Sequence, residues 1–254
     1  MLSDAHCHFS PTFRDKWFST SCRYLINATG PSQFAELKGF RQDHDNVRVG
    51  YGLHPYYLSD AESPSSLLIL LRQYLEEDST AFVGEIGLDT RPNAIDDYSL
   101  DLQLEFFRPQ LQLAFALDRM VTIHIISRKP GLWPILINEF KEASRQYPKY
   151  QGAVILHAFN GSADVFEQLG QALSGCKARL YNSVSHFQLD SKYAPASIRA
   201  AGPTRTLIET DWYRPDLDDW NDLIEKALKL VSDVFGIDRD EALLLTARNW
   251  EQLN

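Results

Sequence analysis

The chain of 254 residues is poor in cysteine and in basic residues, and it lacks long apolar runs. Its three cysteines, Cys7, Cys22 and Cys176, are widely spaced and odd in number. This argues against a disulfide framework or a structural zinc site and favours reduced thiols. No apolar run reaches the length of a membrane span, and the N-terminus lacks the basic region and apolar core of a secretory signal. We therefore expect a cytoplasmic protein that does not contact membranes.

The charge balance is acidic, with 25 Lys and Arg against 34 Asp and Glu and a net charge of −9. Such a chain is not expected to coat nucleic acid nonspecifically through a basic surface. A nuclease is still compatible with this charge, because divalent cations can concentrate positive charge in one cleft. The composition therefore excludes one mode of nucleic-acid binding and leaves metal-assisted chemistry open.

Short apolar runs alternate with helix-like segments, and there is no internal repeat, low-complexity tract or long linker. The eight runs are LSDAHCHF, RYLINATG, VRVGYGLHP, AFVGEIGLD, MVTIHII, AVILHAF, KARLYNSV and RTLIETD. The helix-like segments are 32–44, 64–77, 98–117, 131–147, 162–173, 191–201 and 216–235, and a last helix follows with Asp238 as its N-cap. This alternation predicts a single domain over residues 1–254, a TIM-like (β/α)8 barrel, with a doubly wound open sheet as the alternative.

Two histidines, His6 and His8, lie two residues apart in the first predicted strand. Residues at this spacing point to the same face of a strand, so both imidazoles should converge while Cys7 faces the other way as a small buried residue. Chemistry in such barrels lies at the C-terminal ends of the strands. The other polar residues predicted at these ends are His54, Glu85, Asp89, His124, His157, Glu209 and Asp211.

A metal centre explains these polar residues better jointly than singly. A lone strand-end histidine is more often a hydrogen-bonded core residue than a ligand, but buried carboxylates such as Glu85 and Asp211 need a cationic partner. Four imidazoles and two carboxylates are too many for one tetrahedral zinc site and suit two ions bridged by a carboxylate. By ligand softness, zinc, manganese or iron is favoured over magnesium. The predicted ligands are His6, His8, Glu85, His124, His157 and Asp211.

The motifs DAHCHF, GLHP, VGEIGLD, IH, LHAFNGS and LIETD occur in the order and spacing of the TatD-like deoxyribonucleases. The chain resembles this family over nearly its whole length. The family consists of metal-dependent hydrolases of the amidohydrolase superfamily with a TIM-like barrel. The resemblance implies that a first metal is bound by His6, His8 and Asp211. It implies that His124 and His157 bind a second metal and that Glu85 bridges both.

The resemblance also implies an activity. Family members cleave phosphodiester bonds of DNA, often from an end and with a preference for single strands. Asp211 would orient or deprotonate the attacking water, so Asp211 and Glu85 are the expected catalytic residues, and His54 would lie near the substrate phosphate. The family is often described as magnesium-dependent, so two Mg, Mn or Zn ions are the expected cofactors. The expected partner is DNA or another phosphoester, and we expect a monomer.

Several expected substrate contacts depart from the family pattern. Ile126 occupies the position of the arginine in the usual His-x-Arg after the fifth strand, and Arg128 is either its substitute or an ordinary surface arginine. Asn160 takes a serine position in FNGS. Trp212, in ETDWYRP, either stacks on a base or packs in the core. The predicted substrate-binding residues are His54, Arg128, Asn160 and Trp212.

Four functions stay open at this point. The first is a deoxyribonuclease that works by two-metal activation of water. The second is a hydrolase of the same superfamily that acts on a small phosphoester, lactone or amide, which Ile126 and the acidic charge favour. The third is a non-catalytic barrel scaffold, against which the intact ligand set argues. The fourth is another His-x-His phosphoesterase family with a distorted barrel, which would not be expected to show GEIGLD followed by ETD.

Overall fold

The computed structural model describes residues 1–127, 131–213 and 219–253. Its eight strands form one parallel sheet in which every strand pairs with its neighbours in chain order. They are β1 (Leu2–His8), β2 (Cys22–Asn27), β3 (Val47–Tyr51), β4 (Phe82–Asp89), β5 (Val121–Ile126), β6 (Ala153–Leu156), β7 (Arg179–Val184) and β8 (Thr206–Ile208). The predicted TIM-like (β/α)8 barrel is confirmed. The doubly wound alternative is wrong, because the strand order never reverses.

From β2 onward an α-helix follows each strand and covers the outside of the sheet, while the connection from β1 to β2 contains only a short helical turn over Phe13–Trp17. The α-helices are α1 (Phe34–Gln42), α2 (Pro64–Glu77), α3 (Pro92–Asp97), α4 (Leu100–Ala116), α5 (Leu132–Gln146), α6 (Ala163–Ala172), α7 (Ala194–Ala201), α8 (Trp220–Phe235) and α9 (Arg239–Trp250). In the part of the chain that the structure describes, none of these helices has the length and apolar character needed to cross a bilayer.

Side-chain caps set several helix starts. Asp238 accepts a hydrogen bond from the backbone of Glu241 and forms a capping box with it, as predicted for the last helix. The predicted helix over 98–117 is α4, which runs through Pro109, while the short α3 before it was not predicted. The predicted helix over 216–235 begins at Trp220 in the structure, where Asp219 caps it. Its first predicted residues lie partly outside the described ones.

Backbone hydrogen bonds join the first strand to the segment after the last strand. Asp211 N donates to His6 O over 2.9 Å, and His8 N donates to Trp212 O over 3.0 Å. These two hydrogen bonds therefore hold His6 and His8 beside Asp211. The contacts that close the barrel also bring these predicted ligands together.

The buried carboxylate of Asp4 reinforces this closure. It accepts hydrogen bonds from Thr210 N (3.0 Å), Thr210 Oγ1 (2.6 Å), Trp220 Nε1 (2.7 Å) and His6 N (3.2 Å). Four donors on one carboxylate tie β1 to the segment after β8 and to the start of α8. Because Thr210 precedes Asp211, the clamp also restrains the backbone of a predicted ligand.

The core divides into an outer and an inner layer, as the two-residue alternation of the strands requires. In β6, Val154 and Leu156 pack in the large cluster between the sheet and the helices, while Ala153 and Ile155 pack in a small cluster inside the barrel. Cys7 is fully buried in the outer cluster, which confirms its predicted orientation. The inner cluster fills the barrel beneath the candidate site, so packed apolar side chains close the bottom of that site.

Candidate metal centre

The structure brings all six predicted ligands together at the C-terminal ends of the strands. We call these residues the six-residue cluster: His6 and His8 on β1, Glu85 on β4, His124 on β5, His157 after β6 and Asp211 after β8. Three groups of side chains in this region have ligand atoms close enough to share an ion. They are His6, His157 and Asp211; His6, His8 and Glu85; and His54, Glu85 and His124.

The His-x-His pair converges as the strand geometry predicts. The Nε2 atoms of His6 and His8 lie 3.4 Å apart. They lie 3.3 Å and 3.4 Å from Oε2 of Glu85 and 3.8 Å and 3.5 Å from Oδ1 of Asp211. Two imidazole nitrogens and two carboxylate oxygens therefore surround one point.

Glu85 lies at the centre of the cluster with its two oxygens directed to different sides. Oε2 faces the His6–His8 pair. Oε1 lies 3.0 Å from Nδ1 of His124 and 3.6 Å from Nε2 of His157. A single carboxylate thus touches histidines from three strands, which is the arrangement required of a residue that bridges two ions.

Two glycines next to Glu85 allow β4 to approach its neighbours. A Cβ on Gly84 would lie 2.0 Å from the hydroxyl oxygen of Thr122, and one on Gly87 would lie 1.9 Å from the carbonyl oxygen of His124. Side chains at these positions would push β4 away from β5. The motif GEIG therefore brings the backbone of Glu85 within reach of His124.

Outer hydrogen bonds determine which ring nitrogen of three histidines faces the cluster. Nδ1 of His8 donates to Asn27 O (3.0 Å), Nε2 of His124 to Asp89 Oδ2 (3.0 Å) and Nδ1 of His157 to Glu209 Oε1 (2.7 Å). Each acceptor is an oxygen, so the nitrogen that contacts it carries the proton. In the neutral ring, the other nitrogen presents a lone pair to Glu85 or Asp211.

When its imidazoles are neutral, as metal ligands have to be, the cluster is a convergence of acceptors. Lone pairs from the imidazoles and oxygens from two carboxylates face one another, and a cation satisfies all of them at once. Nδ1 of His6 is buried without a hydrogen-bond partner among the described residues, and the ring stacks on that of His157 with 3.9 Å between the centroids. Imidazole nitrogens with carboxylate oxygens are ligands typical of divalent transition metals. These residues fit a metal site on their chemistry.

The pKa shifts of His157 and Glu85 also show that the cluster favours positive charge. Burial opposes protonation of His157, but Glu209, Asp211 and Glu85 together raise its pKa to about 10. Burial likewise opposes the charge on Glu85, yet His6, His54 and other histidines hold its pKa well below the usual range. Without an ion, protons on the histidines balance the carboxylates, and a metal ion would have to displace them.

Asp211 differs from Glu85 in its access to solvent. Its side chain is 15% exposed, against 2% for Glu85. Despite its burial, the neighbouring histidines, with His157 foremost, lower its pKa to about 2. Its backbone has φ 48°, in the left-handed region that aspartate adopts more readily than most residues. Asp211 is thus an ionised carboxylate that a solvent molecule can reach.

His54 lies beside the cluster but is directed as a donor. Its Nδ1 accepts a hydrogen bond from Tyr56 N over 3.1 Å, so the proton of the neutral ring is on Nε2, which lies 3.9 Å from Oε1 of Glu85. Burial lowers the pKa of His54 to about 3. Although its position would suit a metal ligand, the protonated Nε2 is better suited to donate to an anion.

The other predicted substrate contacts have different outcomes. Trp212 is fully buried and packs 5.4 Å from the ring of Phe13, so the stacking interpretation is wrong and the packing alternative holds, because no face of the indole reaches solvent. Asn160 is exposed in the loop between β6 and α6, three residues after His157. Arg128 lies outside the described residues.

Two acidic residues at strand ends have roles that the sequence did not assign. Glu209 is fully buried, bonds His157 and also accepts from Ala158 N over 2.8 Å. Asp89 is fully buried and bonds both His124 and Arg91. The available signal was their position at strand ends, but the partners that orient the histidines become visible only in three dimensions.

A parallel (β/α)8 barrel in which histidines and carboxylates converge at the C-terminal ends of the strands is typical of metal-dependent enzymes of the TIM-barrel class. Within that class the chain belongs to a particular family. The model of the TatD related DNase family matches residues 3–253.

Relatives and solved structures agree with this assignment. An uncharacterized metal-dependent hydrolase of Buchnera aphidicola subsp. Baizongia pistaciae (strain Bp) is 23% identical over 226 residues, 83% of this chain and 77% of the relative. Another from Haemophilus influenzae (strain ATCC 51907 / DSM 11121 / KW20 / Rd) is 33% identical over 123 residues, 47% of this chain and 43% of the relative.

The crystal structure of a TatD homologue from Escherichia coli K12 matches with a TM-score of 0.74 and 24% identity over 98% of this chain and 95% of that one. The structure of a TatD family hydrolase from Entamoeba histolytica matches with a TM-score of 0.72 and 14% identity over 98% and 96%. At these identities the likeness establishes the fold.

Proposed function

We propose that the protein is a deoxyribonuclease that hydrolyses phosphodiester bonds of DNA with two divalent cations, Mg, Mn or Zn. The observation that carries this proposal is the division of the Glu85 carboxylate between two groups of histidines. Oε2 faces the His6–His8 pair, while Oε1 faces His124 and His157. One bridging carboxylate between two nitrogen-rich groups suits a two-metal hydrolase.

The resemblance to the family assigns the residues that would hold the ions, and the division of the Glu85 oxygens supports that assignment. The first group consists of His6, His8 and Asp211, and the second of His124 and His157, with Glu85 shared. Bound divalent cations would supply a more acidic water and a polarised phosphoryl oxygen. The chain's own residues then have to orient the water, accept its proton and hold the substrate.

Asp211 accepts the proton of the attacking water in this proposal. Its carboxylate is ionised, since its pKa is lowered to about 2, and it is partly exposed, whereas Glu85 is almost completely enclosed. A general base must reach the proton that it removes, which Asp211 can do from its position at the barrel mouth. Glu85 is left to serve as the carboxylate shared by the two groups of ligands.

His54 holds the substrate in this proposal. The neutral ring with its proton on Nε2 can donate a hydrogen bond to a nonbridging phosphate oxygen. An unprotonated Nε2 would instead repel such an oxygen. The hydrogen bond from Tyr56 N to Nδ1 therefore prepares His54 for an anionic substrate rather than for a metal.

The test is hydrolysis of end-labelled single-stranded DNA by chelated protein to which magnesium, manganese or zinc is returned. We expect cleavage with at least one ion and its loss in Glu85→Gln and Asp211→Asn. Glu139→Gln is the matched control, because Glu139 is also a buried carboxylate but pairs with Arg108 on the helical layer. Protein that binds two ions and cleaves no DNA with any of them would contradict the proposal.

A smaller substrate is the second candidate, and Ile126 favours it. This apolar residue ends β5 at the level of Asp89, where the family pattern has an arginine. A hydrolase of a small phosphoester, lactone or amide needs fewer cationic contacts than one that binds a polyanionic strand. Hydrolysis of a small chromogenic phosphodiester or lactone by protein inactive on DNA would support this candidate.

A further inference from the structure

Arg91 lies two residues beyond the end of β4, at the mouth of the barrel. Its Nε and Nη2 donate to Oδ2 of Asp89 over 2.9 Å and 2.6 Å, and its backbone N donates to Oδ1 over 2.8 Å. The arginine side chain remains 34% exposed, while the aspartate is fully buried. A buried carboxylate thus holds a solvent-accessible guanidinium in one orientation.

The same carboxylate oxygen connects Arg91 to the six-residue cluster. Oδ2 of Asp89 also accepts the proton of His124 Nε2 over 3.0 Å. Among the described residues, no other lysine or arginine donates to a carboxylate that also bonds a member of the cluster. Arg91 and the predicted metal ligand His124 therefore donate to the same oxygen atom of Asp89.

A second contact fixes the side of the cluster on which the guanidinium lies. Its central carbon is 5.2 Å from the centroid of the Tyr56 ring, and Tyr56 N donates to Nδ1 of His54. The rings of His54 and His124 are 4.4 Å apart. Arg91 is thus tied to both histidines on the side where Oε1 of Glu85 lies.

Two donors of these residues remain available. Nη1 of Arg91 donates to no described residue, and the protonated Nε2 of His54 points toward the cluster. We propose that Arg91 and His54 together form an anion subsite that binds the nonbridging oxygens of a phosphate group. This subsite rests on the proposed function, because it names what holds the charged part of the substrate.

The negative charges around the site explain why an anionic substrate would need a cationic subsite. An anionic substrate approaches a protein of net charge −9 and a cluster that contains Glu85 and Asp211. Arginine presents a planar fork of donors that matches phosphate oxygens, and one edge of that fork is already pre-organised here by Asp89. The positive charge of Arg91 offsets the repulsion between these carboxylates and an anionic substrate. Because Asp89 already holds the guanidinium in place, binding costs little additional side-chain entropy.

The experiment compares inorganic phosphate binding to metal-loaded wild type, Arg91→Gln, Arg91→Lys and Arg108→Gln by calorimetry, with metal affinity measured for each protein. Arg108 is the matched control, since it is half-exposed and pairs with Glu139 away from the site. We expect Arg91→Gln to weaken phosphate binding by about tenfold to a hundredfold with unchanged metal affinity. Arg91→Lys should lose part of this affinity, and Arg108→Gln none.

Phosphate binding that is as tight in Arg91→Gln as in wild type would overturn the inference, as would the absence of binding by wild type. An equal loss of metal affinity would also overturn it, because Arg91 would then only position His124 through Asp89. The proposed function fails separately, when wild type cleaves no DNA, since phosphate binding is read without any substrate turnover. Where DNA is cleaved, Arg91→Gln should raise KM far more than it lowers kcat.

Discussion

Glu209 accepts the Nδ1 proton of His157 over 2.7 Å, and with it the ring turns Nε2 toward Glu85 and Asp211. The same carboxylate oxygen accepts from Ala158 N, whose residue has φ 40°. Residues other than glycine, aspartate and asparagine rarely adopt this left-handed backbone conformation, so the backbone of Ala158 is strained. Glu209 therefore positions both the ring of His157 and the backbone of Ala158.

The first prediction removes this positioning contact. Glu209→Gln keeps the shape of the side chain but can present an amide group to Nδ1 of His157. We expect metal affinity to fall by about tenfold to a hundredfold, as is typical for partners that orient a ligand. Titration of chelated protein with zinc measures it. Glu139→Gln is the control, and unchanged metal affinity in Glu209→Gln would contradict the role.

The second prediction concerns pH. In the metal-free protein, burial opposes the charge on His157, but Glu209, Asp211 and Glu85 raise its pKa from 6.5 to about 10. Between these values the folded protein keeps a proton that the unfolded chain releases, so its stabilising effect is complete below pH 6.5 and is lost as pH rises toward about 10. Urea unfolding of chelated protein should show this fall in the free energy of unfolding.

Two variants control the pH experiment. His157→Gln should make the fall shallower, whereas His44→Gln should leave it unchanged because His44 lies outside the cluster and bonds Phe40 O. Metal affinity should rise over the same pH range, since the ion displaces the proton. A wild-type stability that is flat or rises between pH 6.5 and 10 would show that His157 is not protonated in the metal-free fold.

The third prediction tests the clamp at Asp4. Asp4→Ala leaves the buried donors Thr210 Oγ1 and Trp220 Nε1 without their acceptor, and each unpaired buried group costs about 1–3 kcal/mol. We expect the free energy of unfolding to fall by about 3 kcal/mol or more. Chemical denaturation measures this loss, and Asp219→Ala, which removes only the cap of α8, should cost about 1 kcal/mol. Equal losses in both variants would reject the clamp.

The fourth prediction follows from the burial of Trp212. Trp212→Ala should lower the free energy of unfolding by about 3–5 kcal/mol, because it removes a fully buried ring from the core. Tyr213→Ala is the neighbouring control: this residue is 46% exposed, and its replacement should change stability by about 0.5 kcal/mol or less. A Trp212→Ala protein of wild-type stability that has lost only DNA binding would restore the stacking interpretation.

The barrel and the meeting of the six-residue cluster were predictable because both depend on local periodicity. Apolar runs that alternate with helices require parallel strands, and parallel strands place their C-terminal ends together. His6 and His8 share a face of β1 because two residues separate equivalent positions on a strand. Motifs as short as HCH and GEIG therefore determined which residues would meet.

The tertiary structure decided how these residues are oriented and which neighbours serve them. His124 and Asp89 are separated by 35 residues and His157 and Glu209 by 52, so their hydrogen bonds arise only when neighbouring or more distant strands pack. Likewise, only the packing around Phe13 shows that Trp212 is enclosed and that Arg91 is the cation held beside the site. The sequence by itself determined which six predicted ligands would meet. The fold determined ring orientation, burial and the contacts available to a substrate, because these depend on through-space distances that no local pattern encodes.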